Sequence, residues 1–434
     1  MALFNMKAVL LCSGLARRMD GQVKPLIKVG GREILYRSMR LLEKHGIQEF
    51  TVVVNKRNRE EIERFLRDNG FKFEIVVNDA PERGNGYSLY LAKEKVSGKF
   101  VLAMGDHVFG EEFVRKAVRG TGLICDRNPR FIDPDEATKV KVDEGRVAEI
   151  GKKLEDFDCF DTGFFILDES IFDSAEKLVM EAETVELSDV VRKAKPQVTF
   201  VDGELWMDVD TPKDVRKAEE ALFRESGKGR GDGFVSRHFN RKISTRVSMA
   251  LAGKVEPNHA TLLSFVSGVL STVLLLFSIP LAGVLYQLSS ILDGVDGEIA
   301  RVTMNTSRIG GVIDSILDRI VDFLFLSILA VLTLSTKVEF FVAFLAVFGT
   351  IMVSYISERY KGEFSEGFYG RFSVFIPGKR DERIFIIMLF CLLYPALGTF
   401  YLFLSLAVLT NLRIFEMLFR LIKSEMYISG IDIS

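Results

Sequence analysis

The stretch Leu292 to Arg319, LDGVDGEIARVTMNTSRIGGVIDSILDR, sets Asp293, Asp296, Asp314 and Asp318 between segments apolar enough to lie in a bilayer. A carboxylate at membrane depth is costly, so a group of them requires a compensating charge. On helical flanks, Asp293 and Asp296 (i, i+3) share one face, and so do Asp314 and Asp318 (i, i+4). Gly297 and Gly310 let backbone or ligand come close where a side chain would intrude. Two facing pairs of acids make an all-oxygen site for a hard divalent cation, Mg²⁺ or another such as Mn²⁺. A solvated loop could also carry four acids, but the apolar flanks on both sides argue against one.

The charge balance of the 434 residues, 57 basic against 59 acidic, leaves no electrostatic footprint for nucleic acid. That average hides a division. Residues 1–235 alternate charged and apolar positions as a soluble domain does, whereas residues 259–420 are mostly apolar with sparse, clustered charge. The expected organisation is a cytoplasmic domain over 1–223, a Gly-rich linker over 224–233, an interfacial helix over 234–254 and a membrane domain over 255–434. Cys12, Cys125, Cys159 and Cys391 form no CxxC pair, which points to a reducing compartment without structural zinc. The N-terminus MALFNMKAVLLC is too short and weakly charged for a signal peptide and reads as a first strand.

In the soluble half, apolar runs at Met6–Leu11, Phe50–Val54, Phe73–Val77 and Phe100–Met104 read as buried strands. Between them Glu33–His45, Arg57–Asn69 and a segment from about Tyr87 have helical periodicity. This alternation predicts an open α/β sheet, whose ligands collect at the carboxyl ends of the strands. The loop after the first strand would then meet Asp106 there. Its backbone N–H groups with Arg17, Arg18 and Lys24 suit a triphosphate. Asp106, with Asp208 or Asp210 of WMDVDTP, could hold Mg²⁺, the usual electrostatic equipment for transfer to an incoming nucleophile. Asn85, in the turn ERGNG, is a candidate base or ribose contact. Taken singly these are weak signals, since DVDTP also reads as an ordinary helix start.

Their order is more specific. SGLARRM…KPLIKVGG, ERGNGYS, MGDHVF, DTGFFIL and WMDVDTPKDVRKAE resemble the sugar-phosphate nucleotidyltransferases, and within them the inositol-1-phosphate cytidylyltransferases, across residues 6–222. The resemblance implies a Rossmann-like open sheet that uses CTP. Lys24 would contact phosphate, Gly14, Arg18 and Asn85 would bind nucleotide, and Asp106 with Asp208 or Asp210 would hold the metal. The first loop departs from the family's glycine–x–glycine–threonine–arginine pattern, because Ala16 and Arg17 stand in it. That departure leaves open a domain that binds nucleotide, or stabilises a dimer, without turnover.

Phe234, Val235, Phe239, Ile243, Val247 and Leu251 fall near helical spacing with Arg237, Arg241, Lys242 and Arg246 around them, a basic amphipathic helix suited to an interface. Its charge beside the first span places the soluble domain on the cytoplasmic side. Six spans are expected: His259–Ile279, Leu281–Ala300, Gly310–Leu334, Val338–Ser357, Arg383–Pro395 with its flanks, and Leu397–Phe419. The fold class is therefore an α/β open-sheet domain followed by an all-α polytopic membrane domain in the cell membrane.

Asp293-x2-Asp296-Gly297-x2-Ala300-Arg301-x8-Gly310-x3-Asp314-x3-Asp318 matches the signature of the CDP-alcohol phosphatidyltransferase family at every fixed position. The resemblance covers about residues 236–420. It implies that Asp293, Asp296 and Asp314 hold divalent metal on a diphosphate and that Asp318, in the same cluster, is the general base. Gly297, Ala300 and Arg301 would line the cytidine nucleotide pocket, with Gly310 nearby. The substrates implied are a CDP-alcohol donor and an acceptor hydroxyl, the product CMP, and the assembly a homodimer in the lipid bilayer. An acceptor carrying its own phosphate needs cations, and Arg359, Lys379, Arg380 and Arg383 stand at expected cytoplasmic ends of spans. Plain positive-inside charge would also account for them. The pairing of domains is similar to bifunctional enzymes of di-myo-inositol phosphate synthesis, with CDP-inositol as donor and inositol-1-phosphate as acceptor. The alternative is a phospholipid synthase using a lipid donor or acceptor.

Overall fold

The strand Lys7–Leu11 (β1) has four consecutive buried residues, because parallel neighbours on both edges and helices on both faces exclude water from it. The computed structural model describes residues 6–15, 22–227, 233–364 and 367–428. It divides into two compact units, Met1–Glu225 and Ser226–Ser434.

In the first unit a small hairpin, β2 (Lys28–Val29) and β3 (Arg32–Glu33), leads into α1 (Ile34–Lys44). There follow β4 (Phe50–Asn55), α2 (Arg59–Asp68), β5 (Phe73–Asn78), α3 (Asn85–Leu91), β6 (Lys99–Met104), β7 (His107–Phe109) and α4 (Glu111–Ala117). The second part contains β8 (Gly122–Asp126), β9 (Lys139–Asp143), β10 (Arg146–Gly151), β11 (Cys159–Asp168), α5 (Ile171–Glu181), α6 (Leu187–Ala194), β12 (Val198–Phe200), β13 (Trp206–Asp208) and α7 (Pro212–Ser226). The main sheet runs β10-β9-β11-β6-β1-β4-β5, with β8 and β12 added beside β11. β1, β4, β5 and β6 are parallel, and β11 closes against β6 antiparallel. The four expected strands coincide with β1, β4, β5 and β6 to within a residue or two. β13 pairs with β7 antiparallel and sets Asp208 opposite His107, beside the carboxyl end of β6.

The second unit is helical. A π-helical turn at Ser236–Asn240 runs into α8 (Arg241–Leu251), then α9 (Pro257–Leu274), α10 (Ile279–Val302), α11 (Arg308–Thr333) and α12 (Lys337–Phe364). Short α13 (Phe368–Arg371) precedes α14 (Arg380–Leu392), α15 (Tyr394–Leu397) and α16 (Phe400–Ile428). Its burial pattern is inverted relative to a soluble bundle. Asp296, Glu298, Asp322, Thr350, Arg383 and Arg413 are buried, while Leu262, Val266, Ile313, Phe341, Phe348 and Phe415 face outward. An outward apolar surface of this extent belongs in lipid or under a partner.

Helices occupy all six expected positions, yet among the described residues two, Lys337–Phe364 and Phe400–Ser424, are long and apolar enough by composition to cross a membrane. The acid-bearing halves of α10 and α11 interrupt their apolar windows, and α14 has 13 residues, short of the ~20 a span needs. The expected interfacial helix is also built differently. Val247 and Leu251 pack with Ala260, Val295 and Ile299, but Phe234, Phe239 and Ile243 face outward. The contact with α10 also has a polar part: Ser244 Oγ donates to Glu298 Oε1 at 2.8 Å and Gln287 Nε2 to Asn240 Oδ1 at 2.9 Å. The linker expected from Arg224 begins later, since α7 continues to Ser226, and residues 228–232 lie outside those described.

Gly349 lets α12 and α16 pack closely, because a Cβ there would lie 2.0 Å from Thr410 Oγ1. Overpacking costs about 1–3 kcal/mol. Gly349→Val therefore lowers the melting temperature of the detergent-solubilised protein, whereas Gly362→Ala, with open space around it, does not.

Candidate active site

In the α/β unit the carboxyl ends of β1 and β6 converge. Asn58 Nδ2 donates to Cys12 O at 2.8 Å and Asn55 Nδ2 to Ser13 O at 3.0 Å, while Ser13 Oγ meets Ser88 Oγ at 2.7 Å. These buried polar groups fix the base of the loop that begins at Cys12. Lys24, on the far side of that loop, pairs with Asp210 and lies 3.7 Å from Asp106 Oδ2. His107 Nδ1 is 2.9 Å from Asp106 Oδ1. Burial alone would raise the Asp106 carboxyl, but the His107 hydrogen bond and the charges of His107 and Lys24 hold it below its ordinary value. Burial likewise opposes a charged His107, yet the hydrogen bond to Asp106 and the acids Asp106, Asp208 and Asp161 raise it. Asp161 itself is pushed by burial up to about 6, against the Gly163 N–H and His107. Gly163, at φ +69°, leaves room for the imidazole, since a Cβ would stand 2.7 Å from His107 Nε2.

The sequence residues Lys24, Asp106, Asp208 and Asp210 are thus brought together around His107. Gly14 is exposed at the loop's start. The carboxamide oxygen of Asn85 accepts from the Leu187 N–H at 2.6 Å, so that group caps the start of α6. Ala16, Arg17 and Arg18 lie outside the described residues.

In the helical unit Asp293 and Asp296 sit on α10, and Asp314 and Asp318 follow one another by a turn on α11. The Ser307 hydroxyl caps α11 by accepting from Gly310 N at 3.2 Å. Carboxylate oxygens of Asp293, Asp314 and Asp318 all lie within 4.8 Å of one another. Asp296 turns aside, accepting from the Thr261 hydroxyl and the Gly297 N–H. Asp293 Oδ1 is buried without a hydrogen-bond partner, as suits an oxygen whose partner is a cation. Three hard carboxylates at this separation, one with an orphan oxygen, fit a divalent metal ion.

The cluster opens into a cavity of about 680 Å³, whose wall includes Gly297, Arg301, Asp314, Lys379 and Arg383. Ala300 and Gly310 belong to the same two helices but not to that wall. The four expected phosphate cations separate. Arg383 is buried and donates to Gly378 O at 2.8 Å and Ser354 Oγ at 3.0 Å. Lys379 stands 4.4 Å over the Tyr369 ring. Arg359 does not share the mouth: it lies exposed on α12 and pairs with Glu363 one turn on at 3.3 Å. Arg380 reaches the acids themselves, with Nη1 3.1 Å from Asp293 Oδ2 and 2.9 Å from Asp318 Oδ1. Its other edge meets Asp322, a fifth acid, at 3.1 Å, and Asp322 Oδ1 also accepts the Tyr286 hydroxyl at 2.6 Å. Nothing in the spacing of the four-acid pattern singled out Asp322, although it continues the 314–318 step by four.

Residues 254–412 match the family model described as CDP-alcohol phosphatidyltransferase, and residues 8–122 that of the MobA-like NTP transferase domain. The chain is 54% identical over 424 residues to the bifunctional IPC transferase and DIPP synthase of Archaeoglobus fulgidus, covering 97% of this chain and 85% of the relative. It is 51% identical to the protein of that name from Thermococcus kodakarensis, covering 96% of this chain and 97% of the relative. Among solved structures, the inositol-1-phosphate CTP transferase from T. maritima is 29% identical with a TM-score of 0.46, over 50% of this chain and 95% of that one.

Full-length protein with Asp106→Asn, which removes one of the two N-terminal acids beside Lys24, is expected to bind Mn²⁺ through the helical cluster. Binding is read as loss of the free-ion EPR signal. Adding Asp293→Asn or Asp314→Asn abolishes it, and unchanged binding with both would exclude the cluster as the site.

Proposed function

Because the chain belongs to the family of bifunctional IPC transferases and DIPP synthases, we propose that it activates inositol-1-phosphate with CTP and then transfers phosphoinositol onto a second inositol-1-phosphate. The chain is a transferase, with a CDP-alcohol phosphotransferase domain and a second, cytidylyltransferase activity. The observation that carries the reading is the Asp293–Asp314–Asp318 cluster at the wall of a cavity also lined by Lys379 and Arg383. Anionic oxygens for a cation stand beside cations for an anion, as a phosphoryl transfer between two phosphorylated substrates requires.

In the α/β unit, Lys24 stands where it can release Asp106 and Asp210 and turn to the phosphates of CTP. Asp106 with Asp208 or Asp210 would hold Mg²⁺, and the substrate phosphate displaces pyrophosphate. In the helical unit, Asp293, Asp314 and Asp318, with Asp296 beside them, would hold Mg²⁺ or Mn²⁺. When bound, the metal neutralises the diphosphate of the CDP-alcohol and makes CMP a tolerable leaving group. Asp318 accepts the proton of the acceptor hydroxyl as its oxygen attacks the phosphorus and CMP departs. Gly297 and Arg301 offer the cytidine a wall, and Arg383 and Lys379 face the acceptor phosphate.

The inverted burial pattern supports a membrane setting. In this reading α9, α10, α11, α12, α14 continued through α15, and α16 cross the bilayer, with the cavity mouth and the soluble domain on the cytoplasmic side, where water-soluble CDP-alcohol is available. Outward apolar faces on α11 and α12 suit lipid or a second copy in a homodimer. Joining the activities in one chain raises the local donor concentration at the second site.

The two halves are tested by crossed variants in detergent with Mg²⁺. Lys24→Ala lowers pyrophosphate release from CTP and inositol-1-phosphate by roughly 100-fold and leaves CMP release from CDP-inositol intact. Asp318→Asn lowers CMP release by roughly 100-fold or more and leaves pyrophosphate release intact. CMP release from a CDP-linked lipid but not from CDP-inositol would replace this reading with phospholipid synthesis.

A further inference from the structure

Arg380 is divided between two sets of acids. One edge of its guanidinium spans Asp293 and Asp318, which belong to the cation-binding cluster. The other meets Asp322, with Nη2 at 3.1 Å and Nε at 3.3 Å from its carboxylate. Asp322 sits one turn deeper on α11 than Asp318 and is 3% exposed. It is held in turn by the hydroxyl of Tyr286, which is fully buried and stacked on Phe325 with ring centroids 4.2 Å apart. Tyr286 and Phe325 belong to the apolar core of the unit, so this end of the chain of contacts has a rigid support.

A guanidinium and a divalent cation compete for the same carboxylate oxygens. The more firmly Arg380 is held at Asp322, the less of its charge falls on Asp293 and Asp318, and the more readily those acids accept a metal ion. We propose that Asp322 and Tyr286 are positioning residues that share Arg380 with the metal-binding carboxylates and draw part of its charge away from them, setting the affinity of the cluster for its divalent ion. The proposal rests on the metal reading of the cluster given above. With metal bound, Arg380 would keep its Asp322 edge paired, and its Nη1 edge would be available to a phosphate in the cavity. Asp322 thus neutralises one unit of positive charge beneath the site and leaves the three clustered carboxylates for the metal.

The test is Mn²⁺ binding to full-length protein in detergent, read by the free-ion EPR signal in the Asp106→Asn background. Asp322→Asn raises the Mn²⁺ concentration for half-saturation by roughly 10- to 100-fold, the range found when outer-shell partners of metal ligands are removed. Adding Arg380→Gln to Asp322→Asn returns it towards the starting value, because the competing cation has gone. A structural role alone would lower thermal stability without this restoration. Should Asp322→Asn fail to fold, Tyr286→Phe removes only the hydroxyl that holds Asp322, and it shifts half-saturation in the same direction by a smaller factor. Half-saturation unchanged in the Asp322 or Tyr286 variant, or not restored by Arg380→Gln, overturns the proposal and leaves the metal site standing. No Mn²⁺ binding in the Asp106→Asn background overturns both.

Discussion

Carboxylates placed among apolar helices must find positive charge, and the helical unit is arranged around meeting that need. Asp293, Asp314 and Asp318 gather within 4.8 Å, Arg380 lies against two of them, and Asp322 lies against Arg380. Removing one partner of such a buried group costs roughly 3–5 kcal/mol, because the remaining charge is left uncompensated. The same constraint explains why the acids sit beside a water-accessible cavity while the flanks of their helices turn Ile313, Ile316 and Phe323 outward. A site of this kind holds phosphates well only when cations are present, and the chain supplies Lys379, Arg380 and Arg383 in the same wall.

The acids were legible in the sequence because helical spacing and an apolar context each constrain them strongly. The parallel strands were legible for a similar reason, as continuous apolar runs between amphipathic helices. Three other features were not. Asp322 continues the four-residue step of Asp314 and Asp318 but falls outside the signature and reads as one polar residue in a span; only the fold brings Tyr286 and Arg380 to it. Arg359 and Arg383 look equivalent at span ends, yet one points outward to Glu363 and the other inward to Ser354, a difference of helix rotation that local spacing does not encode. The other half of the sheet, β8 to β12, depends on long-range and mostly antiparallel pairing, and its outer strands β9 and β10 are polar and lack a distinctive period.

The amphipathic segment before the first span has one face turned outward and one packed inward. Its aromatic side faces outward, as an interfacial helix requires, while its hydroxyl side is joined to α10 through Glu298 and Gln287. In lipid, small polar residues at a helix contact allow close approach and supply hydrogen bonds, whereas large apolar residues gain nothing by leaving lipid for protein. In the α/β unit the comparable economy is electrostatic. Lys24 pairs with Asp106 and Asp210, so three groups suited to a nucleotide and a metal neutralise one another around His107.

In the proposed reaction one chain carries out two transfers in sequence, with the product of the first as donor for the second. It is tested by giving the full-length protein only CTP, inositol-1-phosphate and Mg²⁺, and following pyrophosphate, CMP and phosphodiester together by phosphorus NMR. Equimolar pyrophosphate, CMP and phosphodiester are expected once CDP-inositol has reached its steady level. Pyrophosphate without CMP, or CMP released only after a CDP-linked lipid is added, would contradict it.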